Sequence, residues 1–512
     1  MDSDEKTAAA APFRRDVMKW GAAVMAALGS RLAKAQTPGQ HAEVGPAMLT
    51  HTGWKNDAHR AFGNGPIDDT TRKVVAYVRS FSESNVKGPL LKSLNLTMVD
   101  SIASLIAGFE SEPARICARM ARTIRSDFHC TVLGYGITTS PEMAAFANGC
   151  MLRHADYNDI GPGGHVSDII SGILAVAEAV HSTGSQTLSA IVLGYELVGA
   201  LSAMGGGATW DGWPEGAATA MAAGKLLGLN DDQLANALSL TVVAHMPMAA
   251  THVGALSHWK GCHSSEAVRC AVFATLLARE GMTGPSQPFE GRMGLWDHLG
   301  QPRELRLPAA GPNGKMMVER MSQKRFPSEG STQSVLELTP TIREWTKPED
   351  IASIHVELPF SGWQETADPP KWDPQNRETA DHSMPCVIAL ALIDGDIYLN
   401  SFDPKRYRDP AVRSLMDKIT ASAAPEFTYQ GEARLTVRTK SGGELVKETH
   451  ARLLTPMTAA EIKKKFERVS EYMSISNAQR DRAYAAWSNL LAVKDMAEPM
   501  RELAKFGRPQ PL

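Results

Sequence analysis

The chain has 512 residues, a formal net charge of -3 and 43% hydrophobic residues. That length predicts more than one domain, and the near-balance of charge excludes the strongly basic type of nucleic-acid-binding protein. The six cysteines contain no C-x-x-C pair and no close cluster spacing, which argues against zinc ribbons, redox pairs and iron–sulfur chemistry and favours buried free thiols.

The first 35 residues have the pattern of an export signal. Arg14-Arg15 precedes a mildly apolar run at residues 20–28, and the small-x-small sequence Ala33-Lys34-Ala35 follows. A bilayer-spanning helix needs ~20 apolar residues, so this run predicts a twin-arginine signal peptide, with no stable membrane anchoring after cleavage. The expected location is the periplasm, and the alternative is a disordered tail with a chance arginine pair.

Residues 36–67 are rich in Gly, Pro and His without a period, which predicts a linker or extended arm. From Asp68 the apolar residues recur with a helical period, and Val74 and Val78 fall on one face of the first helix. Similar patterns occupy residues 169–181, 188–204, 216–227, 231–245 and 264–280. Residues 68–310 are therefore predicted to form a large all-α domain whose apolar faces build a core or a dimer interface.

The pattern changes after Pro308. Residues 351–358 alternate like a strand, and residues 434–438 and 444–449 flank Ser441-Gly442-Gly443 in the manner of a hairpin. These features predict a smaller α/β domain at residues 311–457. Thr458 and Glu461 then form a capping box, which begins a helical stretch, residues 458–505, that returns to the large domain.

Residues 148–168 concentrate groups suited to proton transfer. His154, Asp156, Asp159 and His165 surround a Gly-Pro-Gly-Gly turn that leads into an apolar helical pattern. A helix N-terminus carries partial positive charge, so an anionic substrate is favoured there. The alternative is that Ser167 or Asp168 merely caps this helix while the histidines lie at the surface.

Two later segments share this design. Lys260 and His263 precede a helix predicted to start at Ser264 or Ser265, and Lys324 and Arg325 precede a short helical pattern. Each segment places basic side chains beside unpaired backbone N–H groups. A substrate with several carboxylates needs several such anchors, because an unpaired carboxylate is costly to desolvate.

These segments together resemble the MmgE/PrpD family over about residues 68–500. The blocks that carry the resemblance, in family order, are residues 148–165, residues 258–263 (HWKGCH), residues 284–296, residues 324–332 and residues 380–385 (ADHSMP). The family includes 2-methylcitrate dehydratases, cis-aconitate decarboxylases and an iminodisuccinate epimerase, all acting on the carbon beside a carboxylate. The resemblance implies a mostly α fold with an α/β lid, a homodimer, one shared cleft, no cofactor and no metal; a metal site at His154, Asp156 and His165 is the alternative.

The chemistry of such a cleft is removal of a proton beside a carboxylate, with stabilisation of the enediolate that forms. Asp156 or His165 is the expected base or acid. Lys260 is expected to neutralise developing charge, and His263 to donate a hydrogen bond or protonate a leaving hydroxyl. His154 has a more modest expected role, in orienting Asp156 or capping a helix.

Substrate binding is expected to involve Lys324 as a counter-charge, Arg325 as a bidentate carboxylate clamp and His382. Ile160, Trp213 and Cys386 stand where related enzymes carry Thr, His and Tyr. These departures argue against cis-aconitate decarboxylation, and they suggest a substrate with fewer carboxylates or with an apolar portion facing Ile160, Trp210 and Trp213.

The sequence therefore predicts a cofactor-independent lyase of the dehydratase type that acts on a small organic acid. An epimerase, isomerase or decarboxylase using the same site is the nearest alternative. A non-catalytic periplasmic carboxylate-binding protein is the alternative from another class, since such a protein would need the cationic anchors but not the acid/base residues.

Overall fold

The computed structural model describes residues 66–205, 212–308, 314–450, 454 and 456–507, and helices dominate this part of the chain. The predicted signal peptide, nearly all of the predicted arm, and Trp210 lie outside the described residues. The described residues belong to one compact unit. The division into a helical domain and a lid therefore stays a prediction, whereas the mostly α fold class is confirmed.

The first helix, α1 (Asp69–Ser80), begins where the sequence predicts. The Asp68 side chain accepts a hydrogen bond from the Thr71 amide at 2.8 Å, and Val74 and Val78 are buried on one face. Two helices and a short antiparallel hairpin follow: α2 (Gly88–Ala107), α3 (Glu112–Ala121), β1 (Cys130–Val132) and β2 (Ile137–Thr139).

Six further helices complete the bundle that carries most of the site. They are α4 (Pro141–His154), α5 (Ile170–Ala179), α6 (Gly184–Ser202), α7 (Trp213–Leu226), α8 (Asp231–Ala244) and α9 (His263–Arg279). All five helical patterns predicted between residues 169 and 280 are confirmed, with ends shifted by a few residues. Gly172 of α5 shows why small residues matter here, because a Cβ at this position would lie 2.5 Å from Val268 of α9 and 2.8 Å from Thr219 of α7.

The second half of the chain contains a four-stranded sheet and the helices around it. The elements are α10 (Leu295–His298), α11 (Gly330–Trp345), β3 (Ile351–Leu358), α12 (Phe360–Thr366), α13 (Arg377–Ala380), α14 (Met384–Asp394), α15 (Pro404–Tyr407), α16 (Pro410–Met416), β4 (Ile419–Ala423), β5 (Glu432–Thr439) and β6 (Glu444–His450). The strand order is β4-β3-β5-β6, with β3 parallel to β4 and antiparallel to β5.

The predicted strand and hairpin are confirmed in this sheet. Strands β5 and β6 pair antiparallel, and Gly442 in the connecting turn has a φ of +91°, which glycine adopts without strain. Ile354 and Val356 of β3, with Leu435 and Val437 of β5, join α11 and α14 in one apolar core.

Three helices end the described chain: α17 (Ala459–Tyr472), α18 (Asn477–Ser488) and α19 (Ala497–Glu502). The predicted capping box is confirmed, since the Glu461 carboxylate accepts from the Thr458 amide and the Thr458 hydroxyl accepts from the Glu461 amide. Helix α17 packs against α2, so the C-terminal stretch contacts the helical half of the chain.

Candidate active site

Asp156 lies at the centre of a cluster of charged side chains. Helix α4 ends at His154, and two residues later Asp156 adopts a left-handed backbone conformation with a φ of +49°. This turn directs its carboxylate back toward the end of the helix, where the Arg153 guanidinium pairs with it. Asp156 is only 1% exposed, so its charge must be compensated by protein groups.

Two lysines from distant segments supply further compensation. Lys260 Nζ lies 3.0 Å from Asp156 Oδ1, and Lys324 Nζ lies 2.9 Å from Asp156 Oδ2. Lys324 also donates to the Ser328 carbonyl at 3.1 Å. The structure thus brings together three of the predicted segments at one carboxylate, as the family resemblance implied.

Because these charged groups are buried close together, their pKa values differ from the usual ones. Burial alone would raise the pKa of Asp156, but the charges of Arg153, Lys260 and Lys324 outweigh it and hold that pKa well below its usual value. Burial and the nearby Arg153 charge lower the pKa of Lys260 to about 8, although Asp156 acts in the opposite direction. Asp156 is therefore ionised near neutrality, and Lys260 is the more readily titrated member of the pair.

Two histidines approach the Asp156 carboxylate, one near each of its oxygens. His165 Nε2 lies 3.7 Å from Asp156 Oδ1, and His382 Nε2 lies 3.8 Å from Asp156 Oδ2. His165 Nδ1 lies 2.7 Å from the Asp159 carbonyl, which can only accept, so Nδ1 carries the hydrogen and Nε2 of the neutral ring is a proton acceptor.

His382 has the corresponding arrangement, with Nδ1 2.5 Å from Asp381 Oδ1. Burial, together with the nearby cations, holds the pKa of both His165 and His382 well below the usual value. Burial also raises the pKa of Asp381 to about 7, against the effect of Arg377. Both rings are thus neutral at pH 7, and each aims an Nε2 atom toward Asp156.

His263 occupies another side of the site, on the first turn of α9. Its Nδ1 lies 3.0 Å from the Lys260 carbonyl, and its Nε2 lies 3.1 Å from the Ser264 hydroxyl and 3.3 Å from His252 Nε2. The anchoring of Nδ1 by a carbonyl fixes the ring in the same way as in His165. The helix begins at His263 itself, one or two residues before the predicted start.

These groups open into a cavity of about 460 Å³. Its described wall comprises Arg153, Asp156, Ile160, Gly161, Gly163, Gly164, His165, Asp168, Glu215, Ala249, His252, Val253, His263, Ser264, Glu329, Gln364, Glu365, His382 and Gln430. Both halves of the chain contribute, since Glu329 at the N-cap of α11 and two residues of α12 stand in the wall alongside residues from α4 and α9. Lys260 and Lys324 lie behind Asp156 and are almost fully buried.

Four of the predicted substrate-binding residues do not line this described wall, and the first of them is Lys324, which lies behind Asp156. Arg325 instead pairs with Glu461 at 2.5 Å and with Glu337 at 3.2 Å, which argues against a role as carboxylate clamp. Trp213 and Cys386 are buried at the starts of α7 and α14, so they pack in the core rather than contacting a ligand. Ile160 does line the cavity, as expected.

Sequence reasoning missed several residues of the site. Arg153 stands three residues before Asp156, a helical spacing that suits an ion pair, so this contact had a local signal. Asp381 adjoins His382 in the family block and could have been named with it. Glu329 and His252 gave no local signal, because only the tertiary fold brings them to the cavity.

No group of three or more His, Cys, Asp or Glu side chains within the described ranges is arranged to hold a metal ion. His154, the third member of the alternative metal site, is not part of the cavity wall, and its carbonyl accepts from Arg377 at 3.2 Å. The absence of a metal or cofactor in the reaction stays a prediction.

Two domain models of one protein family match the two halves of the chain that form the cavity. The MmgE/PrpD N-terminal domain matches residues 72–308, and the MmgE/PrpD C-terminal domain matches residues 326–490. The chain belongs to the MmgE/PrpD family. The segments around Asp156 and Lys260 fall in the N-terminal domain, whereas Glu329 and His382 fall in the C-terminal domain, so the cavity is shared between the two.

Several relatives are enzymes of this family. The chain is 24% identical over 468 residues to a cis-aconitate decarboxylase-like protein of Aspergillus oryzae, covering 81% of this chain and 93% of that protein. It is 26% identical over 354 residues to human cis-aconitate decarboxylase, covering 64% and 71%. It is 27% identical over 324 residues to 2-methylcitrate dehydratase of Salmonella typhimurium, covering 58% and 66%. These relatives support a lyase-type function.

Proposed function

We propose that this MmgE/PrpD protein is a cofactor-independent lyase of the dehydratase type, which removes a proton from the carbon beside a carboxylate of a small organic acid. The observation that carries the proposal is the cavity in which two neutral histidines and three cations surround Asp156. Proton acceptors and buried positive charge in one place are what enolisation beside a carboxylate requires.

The pKa values of Asp156, His165 and His382 are all held well below their usual values, so geometry rather than basicity selects the base. Both oxygens of Asp156 are already paired with cations, Oδ1 with Lys260 and Oδ2 with Lys324, so Asp156 serves chiefly to fix the lysines and the arginine. His165 and His382 both line the cavity, and the Asp159 carbonyl fixes the hydrogen of His165 on Nδ1, which leaves its Nε2 unprotonated. We assign proton removal to His165, with His382 as the second candidate.

The remaining steps use the cations. When the base takes the proton, the electron pair moves into the substrate carboxylate as an enediolate, which Arg153, Lys260 and Lys324 stabilise electrostatically. Collapse of the enediolate expels a hydroxyl from the adjacent carbon, and that hydroxyl needs a proton. The protonated base lines the cavity and can return its proton to that hydroxyl, so that water leaves and the ring becomes neutral again. Lys260 is still largely protonated at pH 7 with a pKa of about 8, so it keeps its positive charge behind Asp156 throughout.

The wall of the cavity limits how many carboxylates a substrate carries. Asp168, Glu329 and Glu365 all line it, whereas Arg153 is the one Lys or Arg side chain in the described wall. Like charges brought together in a cavity repel, and desolvated carboxylates need partners. We therefore propose a substrate with one or two carboxylates and an apolar part against Ile160, rather than a tricarboxylate.

The proposal is tested by hydrogen exchange in heavy water. A thermal-shift screen of hydroxy- and unsaturated carboxylic acids first identifies ligands, and mass spectrometry then follows deuterium entering the carbon beside the carboxylate. The wild-type protein should catalyse this exchange, and His165→Gln should slow it by ~10²–10⁴-fold. His355→Gln is the matched control, since that ring is bonded to Thr420 and Ser422 in the sheet.

The products and the exchange together separate the alternatives. An unsaturated acid indicates a dehydratase, inversion without elimination indicates an epimerase, and release of CO₂ indicates a decarboxylase. Ligand-induced stabilisation without any exchange would contradict enzymatic function and favour the carboxylate-binding protein.

A further inference from the structure

Helix α17 buries one lysine of a run of three. Lys463 and Lys464 are exposed, whereas Lys465 is 4% exposed and faces α2. Its Nζ lies 2.6 Å from Oδ1 of Asp100, which is fully buried. The two charges compensate each other, because neither could be desolvated alone without a large cost.

The same ammonium makes two further hydrogen bonds, and both lead to the candidate site. Lys465 Nζ donates to the Tyr157 carbonyl at 2.6 Å and to the Lys324 carbonyl at 3.2 Å, and it lies 3.7 Å from the centre of the Tyr157 ring. Tyr157 directly follows Asp156, and Lys324 binds Asp156 through its own side chain. One buried cation therefore links the backbones of two segments that meet at a single carboxylate.

This link controls a geometry that local structure does not fix. Asp156 follows the end of α4 in a left-handed conformation, and Lys324 stands six residues before α11 begins, so both lie in irregular segments. The two segments also join through mutual backbone hydrogen bonds between Ile160 and Ser322, at 2.8 and 2.9 Å. The Lys465 ammonium adds a second connection between these segments, because it binds the Tyr157 and Lys324 carbonyls at the same time.

Stability alone does not account for a charge at this position. Apolar residues of similar volume in place of a buried ion pair are often neutral or stabilising. Of the three N–H donors of the Lys465 ammonium, one binds the Asp100 carboxylate and the other two bind the backbone carbonyls of Tyr157 and Lys324.

We propose that Lys465 is a positioning residue, which holds the Asp156 and Lys324 segments at the separation that catalysis requires. The proposal rests on the lyase function proposed above. It assigns to the C-terminal helix a role in the chemistry although no atom of that helix lines the described cavity wall.

The test compares three variants. Asp100→Asn keeps an acceptor oxygen beside the ammonium and leaves both carbonyl bonds in place, but it removes the counter-charge at a cost in stability. Compared with the wild type well below its own melting temperature, it is the matched control for loss of charge without loss of the tether. Lys465→Met removes all the hydrogen bonds and leaves Asp100 unpaired. The double variant Asp100→Asn/Lys465→Met removes the tether without leaving a buried charge, which keeps the experiment informative if Lys465→Met alone fails to fold.

Two readouts are needed. The first is hydrogen–deuterium exchange at the Ile160 and Ser322 amides, which requires no substrate. We expect faster exchange in the double variant, localised to these segments, and wild-type protection in Asp100→Asn. The second is turnover, which we expect to fall by about 10²-fold in kcat in the double variant, with KM changed much less, because misplacement of a reacting group acts on the chemical step.

The outcomes are distinguishable. Unchanged amide protection or wild-type kcat in a folded double variant would overturn the positioning role, as would an equal loss of kcat in Asp100→Asn. A third outcome separates the two proposals. If the double variant loses amide protection but the wild-type protein exchanges no substrate proton, Lys465 does hold the two segments together. The lyase function is then refuted, and so is the role of Lys465 in catalysis.

Discussion

Replacing Asp156 by Asn should move the alkaline limb of the pH–rate profile to lower pH. Lys260 has a pKa of about 8, and the Asp156 charge at 3.0 Å is one of the influences that keep it that high. If protonated Lys260 is required to stabilise the enediolate, wild-type kcat/KM falls as the pH rises through about 8. Removing a negative charge from beside an ammonium lowers its pKa, so the fall should begin earlier in the variant.

The size of this shift follows from the distance. Two unit charges 3.0 Å apart attract by about 5 kcal/mol at an effective dielectric constant of about 20. One pKa unit corresponds to about 1.4 kcal/mol, so ~4 units is an upper limit, and relaxation of the site reduces it. We therefore expect the alkaline limb of Asp156→Asn to lie below about pH 8, displaced by no more than this limit.

The assay is kcat/KM from pH 5 to 9.5 on the substrate identified by the screen, with melting temperature measured at each pH. Asp168→Asn is the control, because that carboxylate lies 3.6 Å from Arg153 and makes no ion pair with either lysine among the described contacts. An alkaline limb that stays near pH 8 in Asp156→Asn would refute the coupling of Asp156 to Lys260. An equal shift in Asp168→Asn would show that the effect is not specific to the pair.

Four further predictions follow from the sequence and the structure. Lys324→Ala should lower kcat and the melting temperature, since it removes a cation near the enediolate and leaves buried Asp156 with one counter-charge fewer. His165→Gln should lower kcat without that loss of stability, and wild-type turnover in His165→Gln, measured by steady-state kinetics, would contradict the assignment. Burial raises the pKa of Asp159 from 3.8 to about 7, so the folded state keeps a proton that the unfolded state loses, and stability falls as pH rises between these values. Asp159→Asn should flatten this dependence, and an identical change in melting temperature between pH 5 and pH 8 in both proteins would count against it. Replacing Arg14 and Arg15 by Lys should retain the protein in the cytoplasm, and wild-type protein found only there with an intact N-terminus would end the export hypothesis. Light scattering at micromolar concentration should give the mass of a homodimer, which a monomer would disprove.

Local patterns predicted the elements well because their signals lie within a few residues. The Thr458–Glu461 capping box and the turn at Gly442 each depend on neighbouring positions, and both appear as predicted. The ends of helices were less accurate. The pattern around His263 did not show that this histidine is already inside α9, because its ring bonds a carbonyl three residues back rather than capping the helix.

Site residues that lie in the family blocks could be predicted from the sequence. Residues that reach the cavity only through tertiary packing could not. Lys260, Lys324 and Arg325 were all expected in one cleft with Asp156, and the structure places only the two lysines beside that carboxylate. Adjacent residues in an irregular segment can point in different directions, and Arg325 points to Glu461 on α17. Glu329 lines the cavity although nothing in its local sequence distinguishes it from a helix cap, which it also is.

The long reach of the ion pair between α2 and α17 has a consequence for biogenesis. Asp100 and Lys465 are separated by 365 positions, so a ribosome must add all of these residues after Asp100 before the buried carboxylate acquires its counter-ion. Until then, burying α2 in its final place leaves an unpaired charge in the core, which strongly disfavours early completion of the bundle. The N-terminal half expressed alone should therefore accumulate as a loosely packed, chaperone-bound species, and native packing should appear only once the last helices have been synthesised.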